Sequence, residues 1–289
     1  MATVNANVVL VDQTHKIDPA LLHNAALALN TQVTQHLPKY WSGITANVSS
    51  VPSLHALPPG SWPVFLVKSL PPGEGGFHLD KKNQPYAKVI ASPDDASWTV
   101  DASHEIIEML VDPFGNRLQS SQAIAIKGNG VVDAPGTFDY LVEACDPCEA
   151  NNFAYEISGI AVSDFITPDF YDSTAGGGAH FSFMGNITRP RELLKGGYIS
   201  YSDADGNWQQ ILWVEPGPPT LNNLSMDAGV RSLREAVHTA MGPDLTAAKH
   251  QQRRKPGGLS AHVEARVQEY LDRDSARREK ILASRYQLG

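Results

Sequence analysis

The residue types best suited to chemistry concentrate in one stretch, Ser103-His104-Glu105-Ile106-Ile107-Glu108-Met109-Leu110-Val111-Asp112-Pro113. It has the form H-E-x-x-E. On a helix, His104 and Glu108 are four residues apart, share one face and can grip one cation. Glu105 points slightly around the helix, where it can reach a water beside that cation. This is the spacing of the H-E-x-x-H metalloprotease helix with the second His replaced by Glu. With 10 His in 289 residues and Glu at its frequency here, the pattern arises about 0.02 times by chance, so its presence is a signal.

A metal centre needs a third protein ligand. The expected one is Glu143, in Tyr140-Leu141-Val142-Glu143-Ala144-Cys145-Asp146-Pro147, on a short helix expected over 137–144. Asp146 is an alternative, or an acceptor for the His104 ring N–H. Asp112, His78 and His180 are further alternatives. In this reading His104, Glu108 and Glu143 hold one divalent ion. Glu105 takes a proton from the attacking water and hands it to the leaving amine. Tyr140, Tyr198 and His180 are candidate donors to the oxyanion. One His with two carboxylates cancels the charge of the ion and shifts preference toward harder cations. Zinc is the expected ion, with manganese, iron or calcium as alternatives.

Other motifs carry less. Cys145-Asp146-Pro147-Cys148 is a C-x-x-C without the strand-then-helix context of a redox pair, and two cysteines alone complete no zinc site. Asp203-Ala204-Asp205-Gly206-Asn207 lacks the Glu that closes an EF-hand loop, Val214 standing there, and reads as a hairpin turn. Gly176-Gly177-Gly178 lacks the Lys and Ser/Thr of a phosphate loop and suits a flap over a cleft.

The elements that must position the H-E-x-x-E stretch are legible around it. Val8-Val9-Leu10-Val11 reads as a buried strand. Asp18-Pro19 opens a helix whose apolar spacing holds to Pro38. Residues 44–51 and 63–70 read as strands. Residues 77–80 and 86–91 read as a pair around a turn, and a helix follows from Ser97 to Leu110, ended by Pro113. Further along, 157–165 is β-like, and 198–202 with 208–214 form a hairpin. Pro216-Gly217-Pro218-Pro219 reads as a boundary, with helices near 227–241 and 259–284 beyond it. The expected organisation is a core over 1–215 and a basic helical extension over 216–289. Strand, helix, strands and then the metal helix is the order of a zincin-type N-terminal subdomain, whose last strand pair borders the cleft and can take an extended peptide on its edge. The expected fold class is α+β, a zincin-like core of mixed sheet and active-site helix with a helical C-terminal tail.

At this point a resemblance enters. "SHEIIEMLVDP", "EACDPCE" and "VSDFITPDF" resemble an uncharacterised family of bacterial and phage proteins labelled metallopeptidases, over roughly residues 75–215. The resemblance implies a zinc-peptidase-like fold and a peptide or protein substrate. The alternative is a non-catalytic zincin-like binding protein, or a phage-related structural protein, with a structural metal or none.

Composition bounds these readings. The chain is 42% hydrophobic and 19% charged, enough to bury a core. No 18-residue apolar run suggests a membrane span. The N-terminus lacks a basic region followed by an apolar one, so the expected location is the cytoplasm, with virion association as the alternative. Residues 1–230 hold 11 Lys and Arg against 24 Asp and Glu, whereas 231–289 hold 12 against 7. An acidic core disfavours nucleic acid. The basic tail suits an acidic partner or its own acidic body.

Overall fold

The structure, a computed structural model, describes residues 4–71, 75–214, 216–226 and 229–241. The helix expected over 259–284 and most of the basic tail lie outside the described residues. Two five-stranded sheets, a two-stranded hairpin and helices packed among them give the α+β class.

The first sheet has the order β2-β1-β3-β5-β4. Its strands are β1 (Val4–Asp12), β2 (Ile44–Val51), β3 (Trp62–Val67), β4 (Gly76–Lys81) and β5 (Gln84–Ile90). β1 runs parallel to β2 and β3, and β3 parallel to β5, while β4 is antiparallel to β5 at the edge. Val8, Val9, Leu10 and Val11 are all buried, as an unbroken apolar run in a parallel strand covered on both faces must be. The crossover from β1 to β2 is α1 (Pro19–Thr31), whose N-cap Asp18 accepts from Ala20 N at 2.8 Å and Leu21 N at 3.0 Å. The helical path continues as a π turn (Gln32–His36) and a 3₁₀ turn (Leu37–Lys39). The π turn carries the Gln32 amide inward.

The second helix, α2 (Trp98–Val111), has all its residues buried. It packs against β4 and β5 on one side and β9 on another, so its apolar residues surround it rather than forming a stripe. Ser103 fixes it from beneath: its hydroxyl donates to Gln32 Oε1 at 2.7 Å and accepts from Ser163 N at 2.9 Å. Asp112 leaves helical geometry at the C-cap, before Pro113.

The second sheet, all antiparallel, has the order β12-β11-β10-β7-β6. It comprises β6 (Leu118–Ile126), β7 (Val131–Leu141), β10 (Tyr198–Ser202), β11 (Trp208–Leu212) and β12 (Thr220–Asn223). A separate hairpin joins β8 (Tyr155–Ile157) to β9 (Ile160–Val162). The short helix expected over 137–144 is not formed. Residues 137–141 end β7, and 142–144 belong to neither helix nor strand, with the Glu143 N–H turned back onto Leu141 O at 3.1 Å. Phe138 and Tyr140 alternate with outward Thr137 and Asp139, and Phe138 stacks on Tyr201 at 4.4 Å. Cross-strand packing thus overrides the local helix preference of Leu-Val-Glu-Ala.

The Pro216-Gly217-Pro218-Pro219 run turns the chain rather than ending the body. β12 beyond it pairs with β11. The helix α3 (233–241) then docks through Leu233, Val237 and Met241 onto Leu141 and Leu224. Residues 220–241 therefore belong to the body. Among the described residues, no helix is long and apolar enough to cross a membrane.

Candidate metal centre

The helix α2 carries His104, Glu105 and Glu108 into one buried polar group, as the spacing requires. His104 Nε2 lies 3.1 Å from Glu108 Oε2 and 3.2 Å from Asp146 Oδ1. Asp146 opens a 3₁₀ turn (Asp146–Cys148) that ends at Glu149. The turn is held against β10 because Gly197 has no side chain: a Cβ there would sit 2.5 Å from Asp146 O and 2.7 Å from Pro147 O. The Cys145 N–H donates to Glu108 Oε1 at 3.1 Å, tying the turn back to α2. Glu143, just after β7, pairs with Arg234.

The edge strand β4 contributes His78, whose Nδ1 is 3.2 Å from Glu105 Oε2 and 3.6 Å from Glu108 Oε2. Gly76 on the same strand lets the backbone approach Glu105: a Cβ would meet Glu105 Oε1 at 3.1 Å. From α3 the Arg234 guanidinium reaches Glu108 at 3.4 Å and Glu105 at 3.8 Å as well as Glu143. The Arg234 N–H bonds Gly115 O at 2.9 Å, and Asn116 Oδ1 accepts from Leu233 N at 2.9 Å, so α3 is anchored where it enters the group.

Five carboxylates are thus gathered: Glu105, Glu108, Glu143, Asp146 and Glu149, each 5% exposed or less. Among the described residues, the guanidinium facing them is Arg234, 8% exposed. Burying ionised groups is costly without compensation, and here the acid exceeds the base. Burial, with the charges of Glu108 and Asp146, pushes the Glu143 carboxyl well above the usual carboxylate range in spite of Arg234. Burial would do the same to Glu105, but its hydrogen bond to His78 and the charges of His104 and Arg234 hold it well below that range. The surrounding carboxylates keep Arg234 charged against the cost of burial.

Donor chemistry and geometry fit a divalent cation. His and carboxylate atoms converge in overlapping groups whose ligand atoms lie within 4.8 Å of one another: His104, Glu108 and Cys145; His78, Glu105 and Glu108; His104, Asp146 and Glu149; Glu108, Glu143 and Asp146. Glu143 Oε1 and His78 Nε2 are buried without a hydrogen-bond partner among the described residues, which marks a group awaiting something polar.

The candidates read from spacing fall as follows. His104, Glu105, Glu108, Glu143 and Asp146 come together, Glu143 from an irregular segment after β7 rather than a helix. His78 joins them through Glu105. Asp112 does not: its carboxylate accepts from Arg117 N at 2.7 Å at the end of α2. His180 is exposed, its ring beside Tyr40. The Tyr140 hydroxyl donates to Gln122 O at 2.6 Å, which commits it to β6. Tyr198 is buried near the group, its hydroxyl pushed up by burial and then by Asp146. Both cysteines are free and buried, and burial pushes their thiols up. Asp203 makes the expected hairpin turn, accepting from Asp205 N at 3.0 Å and Asn207 N at 2.9 Å. The Gly176–Gly178 stretch is a loop.

Sequence reasoning did not reach Arg234 or Glu149. Glu149 had a local signal, three residues after Asp146. Arg234 had none, since it sits on an ordinary amphipathic segment 129 residues beyond Glu105 in the chain. Comparison with protein-family models, with curated proteins and with solved structures returned no match.

Proposed function

We propose that this chain is a divalent-metal-dependent hydrolase, a peptidase in the first instance, built on a zincin-like core. One observation carries the reading: His104 Nε2 stands 3.1 Å from Glu108 and 3.2 Å from Asp146, inside a buried group with more acid than base. The order β1, α1, two further strands and a hairpin before α2 supports the zincin-like part, as does β4 at the sheet edge beside Glu105. His104, Glu108 and Asp146, with Glu143 adjacent, would hold the ion. Zinc, manganese and iron all suit this mixed set, and calcium suits its oxygens.

A cation bound there would polarise a carbonyl and acidify a water. Glu105 accepts the proton. His78 Nδ1 at 3.2 Å fixes the direction of its carboxylate, and the same contacts keep it ionised at the expense of proton affinity. An extended substrate lying along β4 would pass Glu105 where Gly76 leaves room. The Glu105 carboxyl then delivers the proton to the leaving amine. The test is elemental analysis beside a peptide-hydrolysis assay. Glu105→Gln is expected to keep its metal and lose turnover, and His104→Ala to lose both. Unchanged turnover in Glu105→Gln removes the assigned role.

A second reading has its own observation. The donors are almost wholly excluded from solvent, and Arg234 covers them, as in a closed structural site. In that case the chain is a non-catalytic binding or phage-related structural protein. Metal then raises the unfolding temperature, His104→Ala abolishes that rise, and no peptide is cleaved.

A further inference from the structure

Of the four overlapping ligand groups, three contain Glu108, and two that differ in their other members share Asp146. Glu108, Glu143 and Asp146 form one set, and His104, Asp146 and Glu149 form another. Asp146 belongs to both, and a carboxylate has two oxygens with which to bridge. We propose that the centre takes two divalent cations, with Asp146 as the bridging carboxylate and Glu149 as a ligand of the second. The proposal rests on the metal-centre reading above and deepens it.

Donor number argues for two ions rather than one. Five buried carboxylates and the buried His78 and His104 converge around Arg234, more donors than a single four-coordinate ion takes up. Geometry agrees. Arg234 pairs with Glu143 Oε2, and Glu143 Oε1 is buried with no hydrogen-bond partner among the described residues. The turn that ends in Glu149 is pinned by the close approach of Gly197 to Asp146, so Asp146 and Glu149 are presented together. Paired cations bridged by a carboxylate are an established arrangement for hydrolysis, one ion on each side of the displacement.

The experiment uses the full chain, stripped with a chelator, dialysed against manganese and desalted. Metal per protein is read by elemental analysis, and the coupling between ions by electron paramagnetic resonance. Two equivalents with a spin-coupled signal are expected for the unaltered chain. Glu149→Gln is expected to fall to one equivalent with the hyperfine pattern of an isolated ion, and Glu105→Gln to keep two. One equivalent with an isolated-ion signal in the unaltered chain overturns the second ion and leaves the single-metal reading standing. No bound metal in the unaltered chain overturns both. The stoichiometry of the unaltered chain decides the question even if Glu149→Gln does not fold.

Discussion

Replacing Arg234 by Met removes the guanidinium and keeps most of its aliphatic stem. The loss falls on Glu143, on Glu108 at 3.4 Å and on Glu105 at 3.8 Å, all buried. Deleting one partner of a buried ion pair typically costs about 3–5 kcal/mol, because the remaining charge stays uncompensated. Glu143 softens that cost, since its carboxyl is already pushed up and takes a proton readily. The lower end, about 3 kcal/mol, is therefore expected in chelator. A divalent cation at about 100 times its Kd stabilises the native state by about 2.7 kcal/mol. It gains more in the variant, where no guanidinium competes for the same oxygens. The assay is urea unfolding of both proteins, with chelator and with manganese. The variant is expected to lose about 3 kcal/mol in chelator and less than half of that in manganese. A loss below about 1 kcal/mol in chelator, or the same loss in both buffers, refutes the view that Arg234 acts as the internal counter-charge of a cation site.

Three further outcomes follow from the same geometry. Gly76→Ala places a methyl 3.1 Å from Glu105 Oε1 and 3.3 Å from Lys88 O. Turnover is expected to fall about 10–100-fold with metal content unchanged, read by hydrolysis beside elemental analysis. Gly197→Ala drives a methyl into the backbone of Asp146 and Pro147. Metal affinity is expected to drop while α2 and the first sheet persist, read by metal titration and circular dichroism. Asp164, fully buried, is pushed up to about 6 by burial, in spite of bonds from Met184 N, Asn186 and Phe165 N. Its native carboxyl binds a proton more tightly than the unfolded chain does. The stability it contributes is full below about pH 4 and lost as pH rises through about 6, roughly 3 kcal/mol in all. The unfolding free energy of Asp164→Asn relative to the unaltered chain is expected to shift in favour of the variant between about pH 4.5 and 7. A difference that stays flat over that range counts against the assignment.

What was legible in the residues was what local physics decides. The Asp18-Pro19 start, the Pro113 stop, the β4–β5 and β10–β11 hairpins and the helix bearing H-E-x-x-E all follow from caps, breakers and periodicity. His104, Glu105 and Glu108 needed only four residues of context. Residues 137–144 were misread because a strand of alternating Phe138 and Tyr140 runs into Leu-Val-Glu-Ala, good helix formers. The stack of Phe138 on Tyr201, 63 residues away in the chain, decides the matter. Arg234 was invisible for the same reason on a larger scale. Its role comes from where α3 docks, and docking depends on Leu141 and Leu224 rather than on anything within the helix. Histidine 78 lay between: its strand was legible, but its alignment with Glu105 depends on how β4 lies over α2.

The place of Arg234 near the far end of the body also has a meaning in time. A ribosome adds about 5–20 residues per second. The 85 residues from Glu149 to Arg234 therefore take about 4–17 s to make. During that interval every carboxylate and histidine of the group has been synthesised, and the guanidinium that covers it has not. On the metal-centre reading, an ion that reached the nascent chain in that interval would meet these donors with no guanidinium competing for them.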